Sequence, residues 1–399
     1  MTESQKDSSA SDKYKDFSLV SGGLLYDLMA KIRGNDTKKY GQWRRAIFFA
    51  LLTWLPLLIL ALIDGTMIGD KTDINFWEDI TIHIRFLFVV PFLILVEKTI
   101  DESFVDFFKT TERIISRDNQ KIFDRLVGTI DRMSNSYIPE IIILVSIYLI
   151  IILRWNDLPI FNSSREFLAQ PNVNKLSPAG WYYFFVSFPF YLLMVFRWIW
   201  RWMIWFYSLV RISRLRFKIE ALHADKMGGL GYLNLVPLAF TFLFLAPSAG
   251  LAASFGMEIL YDGKSLNQYY IEILMYGLAV PIILYSPLLF FAPMMKKAMS
   301  RSIHQFGDLL TRHNNDYYEK WITGPPPKGD QLLGSVDNSS LSDINGSYGP
   351  VQGTKLVPLN YKMIFTSIIL ILLPFIPLIF TSFSGNEVLI KLIETLFGS

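Results

Sequence analysis

The sequence predicts an all-α fold, a polytopic bundle of about seven transmembrane helices with amphipathic helices on its cytoplasmic face. Three observations predict it. Hydrophobic residues make up 52% of the chain and charged residues only 18%, against roughly 25% charged in an ordinary soluble domain. The apolar residues gather into runs of about 17 to 25, the length a helix needs to cross roughly 30 Å of hydrocarbon at 1.5 Å per residue. Finally, Lys and Arg alternate in abundance from one inter-span segment to the next.

Residues 1–45 form a cytoplasmic N-terminal segment. Its first 16 residues have the composition of a disordered tail. From Phe17 to Ile32, FSLVSGGLLYDLMAKI alternates apolar and polar residues in the manner of a short interfacial helix. The first span is 46–63; the second, 80–96, follows an acidic loop with Asp64, Asp70, Asp73, Glu78 and Asp79. Residues 98–136 carry too many charges to span, yet Phe104, Phe107, Phe108, Ile114, Ile115, Ile122, Phe123, Leu126 and Ile130 recur near helical spacing, which predicts one or two amphipathic helices. The third span is 137–153, and the Pro- and Asn-punctuated stretch after it reads as an external loop.

The fourth span, 181–205, is expected to continue as a charged cytoplasmic helix through 207–230 and to stop at Gly228 and Gly229. The fifth and sixth spans are 232–255 and 271–293. In the cytoplasmic region 294–362 the first part is helical in pattern, and the second, with Pro325 to Pro327, Gly334, Gly346, Gly349 and Gly353, reads as irregular. The seventh span is 363–381, and 386–397 places Val388, Leu389, Leu392, Ile393 and Leu396 on one face of an interfacial helix.

Cytoplasmic loops carry the excess of Lys and Arg, so the loops orient the bundle. Nine lie in the N-terminal segment, seven from Lys98 to Arg132, five from Arg211 to Lys226 and eight from Lys296 to Lys362, twenty-nine in all. The other side has six: Lys71, Arg154, Arg165, Lys175, Lys264 and Lys391. This predicts seven spans, a cytoplasmic N-terminus and an external C-terminus. The N-terminal segment also lacks the basic stretch, short apolar core and cleavage site of a signal peptide, so the first span is expected to direct insertion.

With no cysteine, disulfides, thiolate metal sites and cysteine nucleophiles are excluded. HExxH, GxSxG and paired intramembrane aspartates are all missing, so common membrane protease and lipase chemistry lacks its residues. No motif calls for a cofactor or a metal, and a net charge of +3 gives no reason to invoke nucleic acid. The partners the sequence suits are the bilayer, anionic lipid headgroups, a second copy of the chain and a cytoplasmic protein.

Charges inside spans are the best pointers to function, because an ionisable group in hydrocarbon needs a partner or water. Arg85 and His83 lie in the outer third of the second span. Arg85 either bridges to Glu78, Asp79 or Glu272 at the surface or forms an anion-attracting constriction. Arg197 and Arg201, four apart on one helix face, lie near the inner end of the fourth span among Trp198, Trp200, Trp202 and Trp205; Glu97 and Glu140 lie near the inner ends of the second and third. The two arginines either snorkel into an aromatic belt or pair with Glu97 or Glu140 at the mouth of a pathway. Many prolines fall in or beside spans, among them Pro56, Pro91, Pro189, Pro247, Pro281, Pro287 and Pro374. Each removes a backbone hydrogen bond and bends its helix.

The small-residue run from Ala246 to Gly256 suits close helix packing. In ALHADKMGGLGYL (221–233), Lys226, Gly228 and Gly229 with His223 and Asp225 could cradle a phosphate or lipid headgroup, although a tight turn accounts for the glycines equally well. Asn162-Ser163-Ser164 matches a short glycosylation pattern.

HADKMGGLGYL, the EKW of 319–321 and LLGSVDNSSLSDINGSY (332–348) before a proline-interrupted last span resemble a family of bacterial polytopic inner-membrane proteins with HxDKxGGLG and LLGSxDxxSL blocks. The resemblance implies a bacterial cytoplasmic membrane and transfers no activity. Kinked spans and paired-looking charges point first to an ion channel or small-solute transporter. A sensor or scaffold that docks a cytoplasmic partner is the second reading, and an enzyme acting on a lipid-linked substrate, with His223, Asp225 and Lys226, the third.

Overall fold

A computed structural model describes residues 17–19, 22–23, 27, 41–68, 74–155, 167–170, 175–324, 332 and 336–381. The interfacial helix expected over 17–32 falls mostly outside these residues; the helix expected over 386–397 and the Asn162 pattern fall wholly outside them. The described chain is mainly helical, with one short antiparallel pair, Ala169–Gln170 and Lys175–Leu176, and seven of its helices are long and apolar enough to cross a membrane. These are α1 (Gly41–Ile63), α2 (Ile80–Ile114), α3 (Arg117–Leu153), α4 (Pro178–Ile212), α5 (Gly231–Tyr261), α6 (Tyr270–Thr323) and α8 (Tyr361–Thr381). The eighth helix, α7 (Val336–Gln352), is polar. The chain is therefore a multi-pass membrane protein.

Two half-bundles meet at α5. In the first, α1 packs on α2 and on the start of α4, and α3 lies along α4. In the second, α5 packs on α6 and α8 while its other side meets α2. Position follows side-chain size. The small residues of α5 let neighbours approach, so its apolar stretch is mostly buried, whereas the Ile- and Leu-rich surface of α3 is largely exposed. The close approach is direct at Gly256, where an added Cβ would sit 3.4 Å from Leu378 of α8.

Four of the prolines mark where helices leave α geometry, whereas Pro56, Pro247 and Pro281 sit inside regular α stretches of α1, α5 and α6. A π turn, Ile84–Val89, precedes Pro91 in α2, and another, Tyr183–Ser187, precedes Pro189 in α4. Pro287 sits in a 3-10 stretch of α6 and Pro374 in one of α8. A ring that lacks an N–H and collides with the carbonyl one turn back leaves the local ladder to re-pair at another spacing.

The amphipathic segment 98–136 is two helices, as expected, each continuous with a span. Glu97–Ile114 completes α2 and Gln120–Ser134 begins α3, with Phe104, Phe107, Phe108, Phe123 and Ile130 buried.

Two expectations need correction. The charged extension of the fourth span over 207–230 stops at Ile212. Beyond it the chain is extended, with the Lys218 amide donating to the Ile114 carbonyl at 2.8 Å and the Ser116 amide to the Arg216 carbonyl at 2.9 Å. Leu215, Phe217 and Ile219 alternate with exposed Arg216, Lys218 and Glu220, a period of two that suits a strand-like run. The segment expected to be irregular after Pro327 contains α7, packed along α6. Lys320 meets Asp337 at 2.6 Å, the Trp321 indole donates to Asp337 at 3.1 Å, and Ser340 bonds His313 at 3.1 Å. Tertiary contacts hold a Gly- and Ser-rich helix that propensity alone disfavours.

Candidate functional site

Arg197 and Arg201 lie one turn apart on α4, so both guanidinium groups leave the same face. That face is turned inward: the two residues are 1% and 2% exposed. Glu97 opens the amphipathic part of α2, and Glu140 lies in the first turn after the break in α3 at Asn135–Tyr137. Arg197 Nε donates to Glu140 Oε1 at 3.0 Å, and its Nη1 donates to Glu97 Oε1 at 3.1 Å. The second oxygen of Glu97 lies 3.4 Å from Arg45 Nη2 of α1. Arg45, Glu97, Arg197 and Glu140 thus alternate in sign across four helices, all of them buried. Withdrawing each ion from water costs several kcal/mol, which is offset only by close pairing of this kind. The snorkelling reading of the arginines is overturned, because neither reaches an aqueous interface.

Arg201 is satisfied differently. Its Nη1 donates to the Ser134 carbonyl at 2.5 Å and its Nη2 to the Gly22 carbonyl at 3.1 Å. Ser134 ends the first helical part of α3, so its carbonyl lacks an intrahelical partner and a cation there is favourable.

Gly22 belongs to an N-terminal strap laid over the junction of α2, α3 and α4. Phe17 packs edge-on against Phe108 at 4.9 Å, the Ser18 hydroxyl donates to the Asp101 carboxylate, and Leu19 is fully buried. Gly22 and Gly23 have φ of +107° and +91°, a region that disfavours side chains. There is no room either: a Cβ on Gly22 would lie 2.1 Å from Asn135 Oδ1, and one on Gly23 2.3 Å from Glu140 Oε1.

At the opposite end of the bundle, Arg85 Nη1 donates to the Tyr183 hydroxyl at 2.9 Å. The surface ion pair expected for Arg85 is replaced by this bond. Asp79 caps α2, accepting from the Thr81 amide at 3.0 Å, and Glu78 accepts from the Asn75 amide at 3.3 Å. His83 sits beside this group. The Trp54 indole donates to its Nδ1 at 2.9 Å, which leaves Nε2–H to donate to the Trp77 carbonyl at 3.2 Å. Between the two polar ends, a cavity of about 210 Å³ is lined by Leu93, Trp198, Trp202, Phe240, Pro247 and Tyr276.

The loop 221–233 is tied by its own carboxylate. Asp225 accepts from the amides of Met227, Gly229 and Gly231 at 2.8, 3.2 and 2.8 Å, and His223 Nδ1 is 2.8 Å from it. Burial alone pushes the Asp225 carboxyl up, but the three amides and His223 outweigh it and hold the group below its ordinary value. Of the glycine amides expected to receive a phosphate, that of Gly229 is occupied by this side chain. Lys226, with φ of +55°, and Gly228 and Gly229, at +66° and +88°, supply the reversals of a tight turn. The Lys226 carbonyl accepts from the Lys355 amide at 2.8 Å, which docks the loop on the approach to α8.

The structure therefore brings Glu97, Glu140, Arg197 and Arg201 together and leaves His83 with Arg85, and His223 with Asp225, at separate places. Sequence reasoning passed over Arg45, counted as an ordinary flanking base, together with the Gly22-Gly23 pair, Asp101 and Tyr183. Only the double glycine carried a local signal. No family model, curated protein or solved structure matches the chain.

Proposed function

We propose that this is a transport protein of the bacterial cytoplasmic membrane, a gated path for an ion or small solute, closed at its basic end by the Arg197 cluster. The observation that carries the reading is the alternation Arg45–Glu97–Arg197–Glu140 across four spans. Buried pairs of this sort are neutral or unfavourable for stability compared with an apolar core, and intramembrane charges mark pathways and gates. The π and 3-10 breaks at Pro91, Pro189, Pro287 and Pro374 give the surrounding helices places to bend. The twenty-nine basic residues on one set of loops orient this end toward the cytoplasm, with the C-terminus outside.

Purified protein in liposomes should make them permeable to at least one species, and Glu97→Gln should change the rate. Vesicles that stay tight to K⁺, Na⁺, Cl⁻, H⁺ and phosphate would defeat the reading. Tags on the two termini should report opposite compartments; finding both in one would overturn the orientation.

A second reading rests on a different observation. The hairpin of α6 beyond Ala292 with α7 packs mainly on itself and leaves Leu309, Tyr318, Ile322 and Val336 exposed. It suits a membrane scaffold or sensor, in which deleting 328–358 would release a co-purifying protein.

A further inference from the structure

We infer that the Nε/Nη2 edge of Arg201 is a binding site for an oxoanion, a phosphate or carboxylate group, covered here by the Gly22 carbonyl. Three arginines, Arg45, Arg197 and Arg201, are buried in the cluster against two buried carboxylates, Glu97 and Glu140. Arg45 and Arg197 take both carboxylates. Arg201 has carbonyl partners alone, and Asp101, which accepts from Ser18, acts on it only through space.

Its Nε, buried from solvent, has no hydrogen-bond partner among the described residues. Nε–H and one Nη2–H leave a guanidinium parallel, along the edge that grips a carboxylate or phosphate with two bonds. Here that edge holds one neutral carbonyl at 3.1 Å and nothing on Nε. An anion in the place of the Gly22 carbonyl would fill both positions with charge-assisted bonds, roughly twice as strong as neutral ones. It would also balance the third buried cation. Phe17 and Leu19 anchor the strap before the two glycines, and the Asp27 carboxylate, accepting from the Tyr137 hydroxyl at 2.7 Å, anchors it after them, so the Gly22 carbonyl lies between two tethers. As the cargo class of a gated path, this site rests on the transport reading; as a binding site it stands apart from it.

Phosphate titrated into the full-length protein in detergent and followed by microscale thermophoresis tests the site. Saturable binding is expected. Arg201→Lys, which keeps the charge and loses the fork, should weaken it by about tenfold or more. Gly22→Ala, whose methyl cannot fit against Asn135, should lift the carbonyl and tighten binding by about tenfold. Phe17→Ala, loosening the strap at its far anchor, should shift it the same way if Gly22→Ala fails to fold. No phosphate binding, equal affinity in Arg201→Lys, or no tightening in any folded strap variant would overturn the assignment. In nanodiscs, competition by phosphatidylglycerol but not phosphatidylcholine would assign the anion to a lipid headgroup, and no competition would assign it to a free solute. Flux without phosphate binding sinks this site and leaves the transport reading; binding without flux does the reverse.

Discussion

Arg85 of α2 and Tyr183 of α4 are joined by a 2.9 Å hydrogen bond, and each residue lies within a π turn of its own helix. Two helices thus abandon α geometry at the same contact. Both side chains leave these turns toward each other, so Arg85 meets α4 in place of the carboxylates near its own helix start. Tyr183→Phe removes the acceptor and leaves a half-buried guanidinium. It should lower stability by about 1.5–3 kcal/mol, as expected for a hydrogen bond to a charged group. Thermal unfolding in detergent measures this, and a double-mutant cycle with Arg85→Gln should show that the two losses do not add. Additive losses would show that the bond contributes nothing.

Glu97→Gln should be among the most damaging single changes in the chain. It strands Arg45 and Arg197 with one carboxylate between them, and breaking a buried pair costs about 3–5 kcal/mol. Replacing Glu97, Glu140, Arg197 and Arg45 together by apolar residues should restore much of the stability while altering flux. Recovery of the melting temperature with flux intact would argue against a gate.

Asp225 makes a prediction about pH. Its carboxyl lies below the ordinary 3.8 because three amides and His223 outweigh burial. A lowered folded value contributes stability that is fully present above the unfolded value and lost as pH falls through the folded one. Hydrogen exchange of the Met227, Gly229 and Gly231 amides should therefore stay slow down to about pH 4 and accelerate below it. Asp225→Asn should remove that pH dependence. Unchanged protection across this range would show that the loop is held by other contacts.

Two glycines should report packing. A Cβ on Gly180 would lie 1.9 Å from the Leu168 carbonyl oxygen, a backbone atom that cannot swing aside. At Gly277 the obstacle is the Leu372 side chain, 2.7 Å away, which can rotate. Gly180→Ala should accordingly cost more than Gly277→Ala, with the latter near the lower end of the 1–3 kcal/mol typical of overpacking. Comparing melting temperatures of the two variants checks the order.

The sequence alone determined how many helices are long and apolar enough to cross a membrane, although α1 starts earlier, at Gly41, and α3 takes in the amphipathic helix before its span, starting at Arg117. A run of some 20 apolar residues has one low-energy fate in a bilayer, an α-helix whose backbone bonds close within itself. The amphipathic faces of 98–136 were legible for the same reason, since they depend on spacing along one chain, while proline positions told only in part where the backbone breaks, Pro56, Pro247 and Pro281 lying in unbroken α-helix. At 215–219 a strand-like alternation was present, but the abundant charge of the stretch read equally well as a helix.

Tertiary structure decided what each charge meets. Arg197 finds Glu140 57 residues away and Glu97 100 residues away, and Arg201 finds Gly22 179 residues away. Periodicity tells which residues share a helix face; it carries nothing about which helix that face is turned toward. That choice is tied to the need to pair every charge removed from water.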